Sequence, residues 1–226
     1  MNCTEILQYL ESLANPANTA GMARYGINTA RAYGVPMPML RALARKIGRD
    51  HGLAGRLWAS EIHEARILAA LIDEPAAVTA AQMDAWAADL DSWDVCDQLC
   101  NNLFSRTKFA WRKARQWSGR RKEFVRRAAF SMMASLAVHD KAANDDAFLA
   151  LLPLIESAAT DERNYVRKAV NWALRQTGKR NARLNRAAIA AARRIGKLEG
   201  KAPPWIAADA LRELTSEKTR RRLGKR

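Results

Sequence analysis

The sequence predicts an all-α fold, an α-solenoid of tandem helical repeats, and three observations carry that reading. Apolar residues fall at helical spacing in nearly every segment of the 226-residue chain, no segment alternates as a strand would, and the chain echoes itself at a fixed displacement. Val125-Arg126-Arg127-Ala128-Ala129 recurs 41 residues later as Val166-Arg167-Lys168-Ala169-Val170, with a fainter copy at Ile62-His63-Glu64-Ala65. Such a period falls in the range of about 40–47 residues found in HEAT or armadillo repeats. Stacked helix pairs of this kind form one curved domain with a concave face.

The elements follow in order. Ile6, Leu7, Leu10 and Leu13 repeat at i, i+3, i+4 and i+7, and Met39, Leu40, Leu43 and Ile47 do much the same. Further helices are expected at about 52–59, 61–72, 79–89, 92–104, 107–117, 122–138, 144–158, 162–176, 181–195 and 204–215. The breaks between them carry turn chemistry: Gly34-Val35-Pro36, Asp73-Glu74-Pro75, Ser118-Gly119, Thr177-Gly178 and Lys201-Ala202-Pro203-Pro204. Thr79 followed by Gln82 reads as a capping box. Residues 1–215 are expected to form a single domain, and the polar, basic residues 216–226 a flexible tail.

Composition narrows the function classes. Hydrophobic residues make up 49% of the chain, enough for a substantial core. No apolar run is long enough to span a bilayer, and the first residues lack the basic and apolar regions of a signal peptide. Three cysteines, two of them in one helix, do not make a disulfide framework. The expectation is a cytoplasmic monomer. The net charge of +15 is unevenly placed: residues 1–100 hold 8 Lys and Arg against 12 Asp and Glu, and residues 101–226 hold 30 against 11. A basic half beside an acidic one directs a field at a polyanion, most often nucleic acid. A solvated surface with an incidental cation excess is the plainer alternative.

The stretch DSWDVCDQLCNNLF, residues 91–104, is the first candidate site. Ser92 can cap a helix, and Asp91 and Asp94 suit its positive end. Asp97 lies a full turn further in, four residues after Trp93, so the two share one side. On a helical wheel Ser92, Cys96, Leu99, Cys100 and Leu103 form the core face, and Trp93, Asp97 and Phe104 fall together on its flank. That places an aromatic platform beside a carboxylate. A partly buried tryptophan and an aspartate bonded to a neighbouring helix end is the structural alternative.

A second candidate lies at about 162–176. Val166, Ala169, Val170 and Ala173 form its apolar face, whereas Lys168, Trp172, Arg175 and Lys179 recur on another. A tryptophan within a basic stripe suits a sugar or base held between phosphates. At 122–138, Arg127 points away from the apolar face at the repeat position equivalent to Lys168. Cys96 and Cys100 lack further ligands for zinc, the histidines His51, His63 and His139 are isolated, and no phosphate-binding glycine motif occurs. No metal and no cofactor are expected.

Taken together, these residues resemble the AlkD-type DNA alkylation repair glycosylases, all-helical proteins of HEAT-like repeats, over about residues 20 to 215. The family's tryptophan–aspartate motif is matched by Trp93-Asp94-Val95-Cys96-Asp97, its arginine motif by Phe124-Val125-Arg126-Arg127-Ala128-Ala129, and its distal motif by residues 166–175, which include Trp172. Gly34-Val35-Pro36-Met37-Pro38 keeps the family's N-terminal turn, while Tyr25 and Tyr33 match its aromatics only loosely. The resemblance implies a concave basic DNA-binding face, Asp97 as catalytic carboxylate, and Trp93 and Trp172 as deoxyribose contacts. It assigns Arg127 to a backbone phosphate, and the basic stripe adds Lys168, Arg175 and Lys179. The implied substrate is double-stranded DNA containing alkylated purines, cleaved while the lesion stays stacked. The competing reading is a non-catalytic helical-repeat scaffold that binds nucleic acid or an acidic protein.

Overall fold

The structure is a computed structural model that describes residues 1–224. Among those residues there are helices and no strands. The chain expected to form one domain groups into two compact units, Met1–Phe109 and Ala110–Arg226.

The first unit contains α1 (Cys3–Ser12), α2 (Pro16–Arg24), α3 (Met37–Ile47), α4 (His51–Ala59), α5 (His63–Ile72), α6 (Ala80–Ala88) and α7 (Trp93–Asn102). Helix α5 is the hub, with α3, α4 and α7 packed against it. Its residues His63 to Ala70 are all buried, whereas α2 buries none of its residues fully. The Trp58 ring of α4 stacks on Trp86 of α6 with centroids 4.3 Å apart, and the Arg66 guanidinium of α5 lies over Trp58 at 5.1 Å. Trp58 Nε1 donates to Asp89 just after α6 (2.9 Å). One aromatic pair and one cation thereby lock three helices. Thr79 caps α6 by accepting the Gln82 N–H at 3.0 Å, one half of the expected capping box, while the Gln82 side-chain amide donates to Asp73 at 2.8 Å.

The second unit contains α8 (Ala110–Ser118), α9 (Glu123–His139), α10 (Asp145–Leu149), α11 (Leu152–Ser157), α12 (Asn164–Gly178), α13 (Ala182–Ile195), α14 (Ala202–Leu214) and α15 (Glu217–Gly224). Helix α9 packs between α8 and α12, and every residue from Arg127 to Ala137 is buried. Alanines and serines recur through that run, and their small side chains let neighbours approach on both sides. The 41-residue echo has a structural counterpart: Phe124 and Tyr165, equivalent positions at the starts of α9 and α12, stack with centroids 5.4 Å apart.

Several expectations give way here. The single helix expected at 144–158 is two, α10 and α11, because Pro153 at the start of α11 cannot continue a helix from upstream. Helix α2 is absent from the sequence reading because it carries no apolar stripe. The tail expected to be flexible is helical over Glu217–Gly224, with Thr219 buried against the end of α14; Lys225 and Arg226 lie outside the described residues. Thr177-Gly178, read as a break, is the last turn of α12. A Cβ at Gly178 would stand 2.8 Å from the Ala188 Cβ and 2.6 Å from Leu214 Cδ2, so glycine serves close packing there. Alanine in a helix gains about 1 kcal/mol over glycine, but overpacking a full site costs about 1–3 kcal/mol. Gly178→Ala is therefore expected to lower the urea midpoint with an unchanged slope; a raised midpoint would contradict the close-packing account.

Candidate active site

Trp93 and Asp97 occupy the first and second turns of α7, both are partly exposed, and both line one cleft of about 720 Å³ within the first unit. Met22, Tyr25 and Ile27 line the same cleft, as does the turn Gly34–Met37. Trp93 Nε1 donates to the Tyr25 carbonyl at 3.1 Å, which fixes the orientation of the indole. Tyr25 is 77% exposed. Phe104, expected beside them, is instead fully buried in a 3-10 turn beyond α7, since the helix ends at Asn102 and the wheel no longer applies.

Ser92 sits at the N-cap of α7 but does not cap it with its side chain. Its hydroxyl donates to Asp94 Oδ1 (2.7 Å) and accepts the Asn28 N–H (3.3 Å). Asp94 Oδ2 accepts from His63 Nε2 at 2.8 Å, and His63 is buried. Burial alone would lower the His63 pKa, but the hydrogen bond and charge of Asp94, with Glu64 and Asp91, outweigh it and hold His63 above 6.5. Burial likewise opposes ionisation of Asp94, and His63 and Ser92 overcome it, holding Asp94 below 3.8. The Asp94 contribution to stability is present above its ordinary value and fades as pH falls through the lowered one. That of His63 is complete below 6.5 and fades as pH rises through the raised one.

Glu64, beside His63 at the start of α5, is 1% exposed. Its carboxylate accepts the backbone N–H groups of Tyr33 (3.0 Å), Gly34 (2.6 Å) and Val35 (3.2 Å). Gly34 has φ +78°, and a Cβ there would meet the Asn15 carbonyl at 2.6 Å, so the turn requires glycine. Glu64 thus holds one wall of the cleft and His63 the helix forming another. His63, which reads as an isolated histidine in the sequence, is thus paired with Asp94, and Glu64 with the turn at Gly34; both sets of partners lie about 30 positions away, and the faint repeat copy at Ile62-His63-Glu64-Ala65 is the only sequence signal at either residue.

In the second unit, Lys168 is exposed and Trp172 partly exposed on α12. Arg175 donates to Glu213 at 2.8 Å and stands 3.5 Å from Asp209; Lys179 donates to Glu213 at 2.6 Å. Burial opposes ionisation of Glu213, but these cations hold its pKa below the ordinary value. The stripe expected to face phosphates is therefore partly neutralised by α14. Arg127, expected to point away from the core, is 5% exposed and donates to the Tyr165 carbonyl at 2.7 Å, because α9 is covered on that side by α12.

An all-α chain of repeated helix pairs, with an indole and a carboxylate opening on one cleft, defines a helical-repeat protein with a candidate catalytic centre. The chain belongs to the DNA alkylation repair enzyme family, whose model matches residues 6–214, in line with the resemblance of its motifs. Membership gives it a role in DNA repair. A solved structure described as belonging to "a new family of proteins related to the HEAT-like repeat DNA glycosylases with affinity for branched DNA structures" superposes with a TM-score of 0.82. The two are 20% identical over 99% of this chain and 97% of that one, a likeness that establishes the HEAT-like fold. No curated protein sequence matches the chain. Among the described residues, no helix is long and apolar enough to cross a membrane.

Proposed function

We propose that the protein is a DNA N-glycosylase that hydrolyses the N-glycosidic bond of cationic alkylated purines, such as 3-methyladenine and 7-methylguanine, in double-stranded DNA. The observation that carries this reading is the placement of Trp93 and Asp97 one helical turn apart on one cleft. An N3- or N7-alkylated purine is positively charged and already a good leaving group, so no acid is needed to protonate it. As the bond stretches, positive charge builds on the deoxyribose. A carboxylate fixed on a helix favours that charge in the transition state more than in the ground state. Asp97 stabilises the oxocarbenium character and orients the attacking water, and the Trp93 indole contacts the sugar. Unmodified purines are spared because they leave poorly, so the lesion need not be extruded to be discriminated.

Phosphate contact falls to exposed Lys168, with Arg175 and Lys179 contributing what charge Glu213 leaves. Arg127 acts as the tie between α9 and the first turn of α12 rather than as a direct phosphate ligand. Lys168→Ala is expected to reduce the slope of log K against log salt by about 0.9, the loss of one phosphate contact. An unchanged slope in anisotropy titrations would remove Lys168 from the interface. The reading as a whole is tested by incubating the protein with methylated duplex DNA and assaying free 3-methyladenine and 7-methylguanine. The second reading, a scaffold that binds DNA without base release, draws on the branched-DNA affinity of the structurally similar family. It requires affinity without free base.

A further inference from the structure

The proposed chemistry needs Trp93 and Asp97 held in place, and the groups that hold the first turn of α7 lie outside it. Asp94, within that turn, is gripped by His63 Nε2 at 2.8 Å and by Ser92 at 2.7 Å. Ser92 and Asp91 are tied in turn to Asn28, at 3.3 and 2.8 Å, and Trp93 to Tyr25 at 3.1 Å. The anchor at the far end is rigid: the His63 N–H donates to the Arg31 carbonyl at 2.9 Å, and the next residue, Glu64, is bonded into the turn at Gly34.

We infer that His63 is a positioning residue for base release: its imidazolium clamps Asp94, and through α7 sets where Trp93 and Asp97 stand in the cleft. The catalytic consequence rests on the glycosylase reading above; the structural consequence does not. A comparison within the chain supports the assignment. In the repeat echo His63 corresponds to Arg126, and Arg126 makes the same kind of clasp, to Asp161 at 3.0 Å just before α12. A permanently charged group stands in one repeat and a titratable one in the repeat that holds the candidate site. The charged groups around His63 are Asp94 on α7, Asp91 before it, Glu64 and Arg66 on its own helix, and Arg31, Glu61 and Asp89 around an adjoining cavity of about 350 Å³. Nearest are acids, which favour the imidazolium over burial. Once His63 is neutral, the Nε2–H can still donate to Asp94, but without charge assistance, so the clamp weakens rather than breaks.

The experiment has two arms. In the first, the Trp93 indole N–H and the His63 ring are followed by NMR from pH 5.5 to 9 in the wild-type protein, with Trp93→Phe assigning the indole signal. The indole signal is expected to move with the titration of His63; a signal that stays fixed while His63 titrates overturns the inference. In the second, single-turnover release of 7-methylguanine is measured over the same range beside DNA affinity. The wild-type rate is expected to fall about threefold to tenfold as His63 loses its proton, with affinity changed less than about twofold. His63→Gln, which keeps a neutral donor, should be flat at the high-pH rate, and His63→Phe flat and slower still. A His63→Gln profile that copies the wild type overturns the inference. If the wild-type protein releases no base, the glycosylase reading fails, and the NMR arm alone decides whether His63 positions α7.

Discussion

Asp97→Asn is expected to slow release of 7-methylguanine by about 10²–10³, the scale of losing one preorganised electrostatic group, while leaving DNA affinity within about threefold. The substitution keeps shape and removes charge. Asp97 is partly exposed, so its loss should cost little stability. On the proposed chemistry the charge acts only once the sugar becomes cationic, so the effect is expected in the rate and not in binding. Single-turnover release and anisotropy binding on one lesion-containing duplex separate the two. Release at the wild-type rate would show that another group meets the sugar cation, and a large loss of affinity would make Asp97 a binding residue.

The largest stability effect should come from Glu64→Ala. The carboxylate is buried and accepts three successive backbone N–H groups, so removing it strands donors of which two belong to the buried residues Gly34 and Val35. Hydrogen bonds to a charged group contribute about 1.5–3 kcal/mol each, and buried donors left unpaired cost about 1–3 kcal/mol each. Allowing for relaxation of the turn, a loss of about 3–5 kcal/mol is expected from urea unfolding. A loss below about 1 kcal/mol would mean that the turn at Gly34 holds itself. Because that turn lines the cleft, base release should also fall in the fraction that remains folded.

The difference between what was and was not legible in the sequence follows from contact range. Trp93 and Asp97 were readable because they sit one turn apart on one helix, where spacing fixes a shared side. The helices with apolar stripes were readable for the same reason, and the echo of Val125 at Val166 located equivalent positions that do stack, at Phe124 and Tyr165. Arg127 was misread because a wheel shows one face of a helix and says nothing of what covers the other; α12 covers it. Arg175 and Lys179 looked like free cations because Glu213 lies 38 and 34 residues away. His63 read as isolated, and Glu64 carried no signal of its own, because their partners come from other elements of the unit. Gly178 looked like a stop because its reason, the side chains of Ala188 and Leu214, is tertiary.

On the proposed function the protein breaks a glycosidic bond rather than only holding DNA. That is tested most directly by following base release and binding together on two substrates: a duplex with a single 7-methylguanine and an undamaged four-way junction. The account predicts free 7-methylguanine from the lesion duplex at least about a hundredfold above the spontaneous rate, abolished or nearly so by Asp97→Asn. Tight binding to the junction with no free base from the duplex at any protein concentration would contradict it.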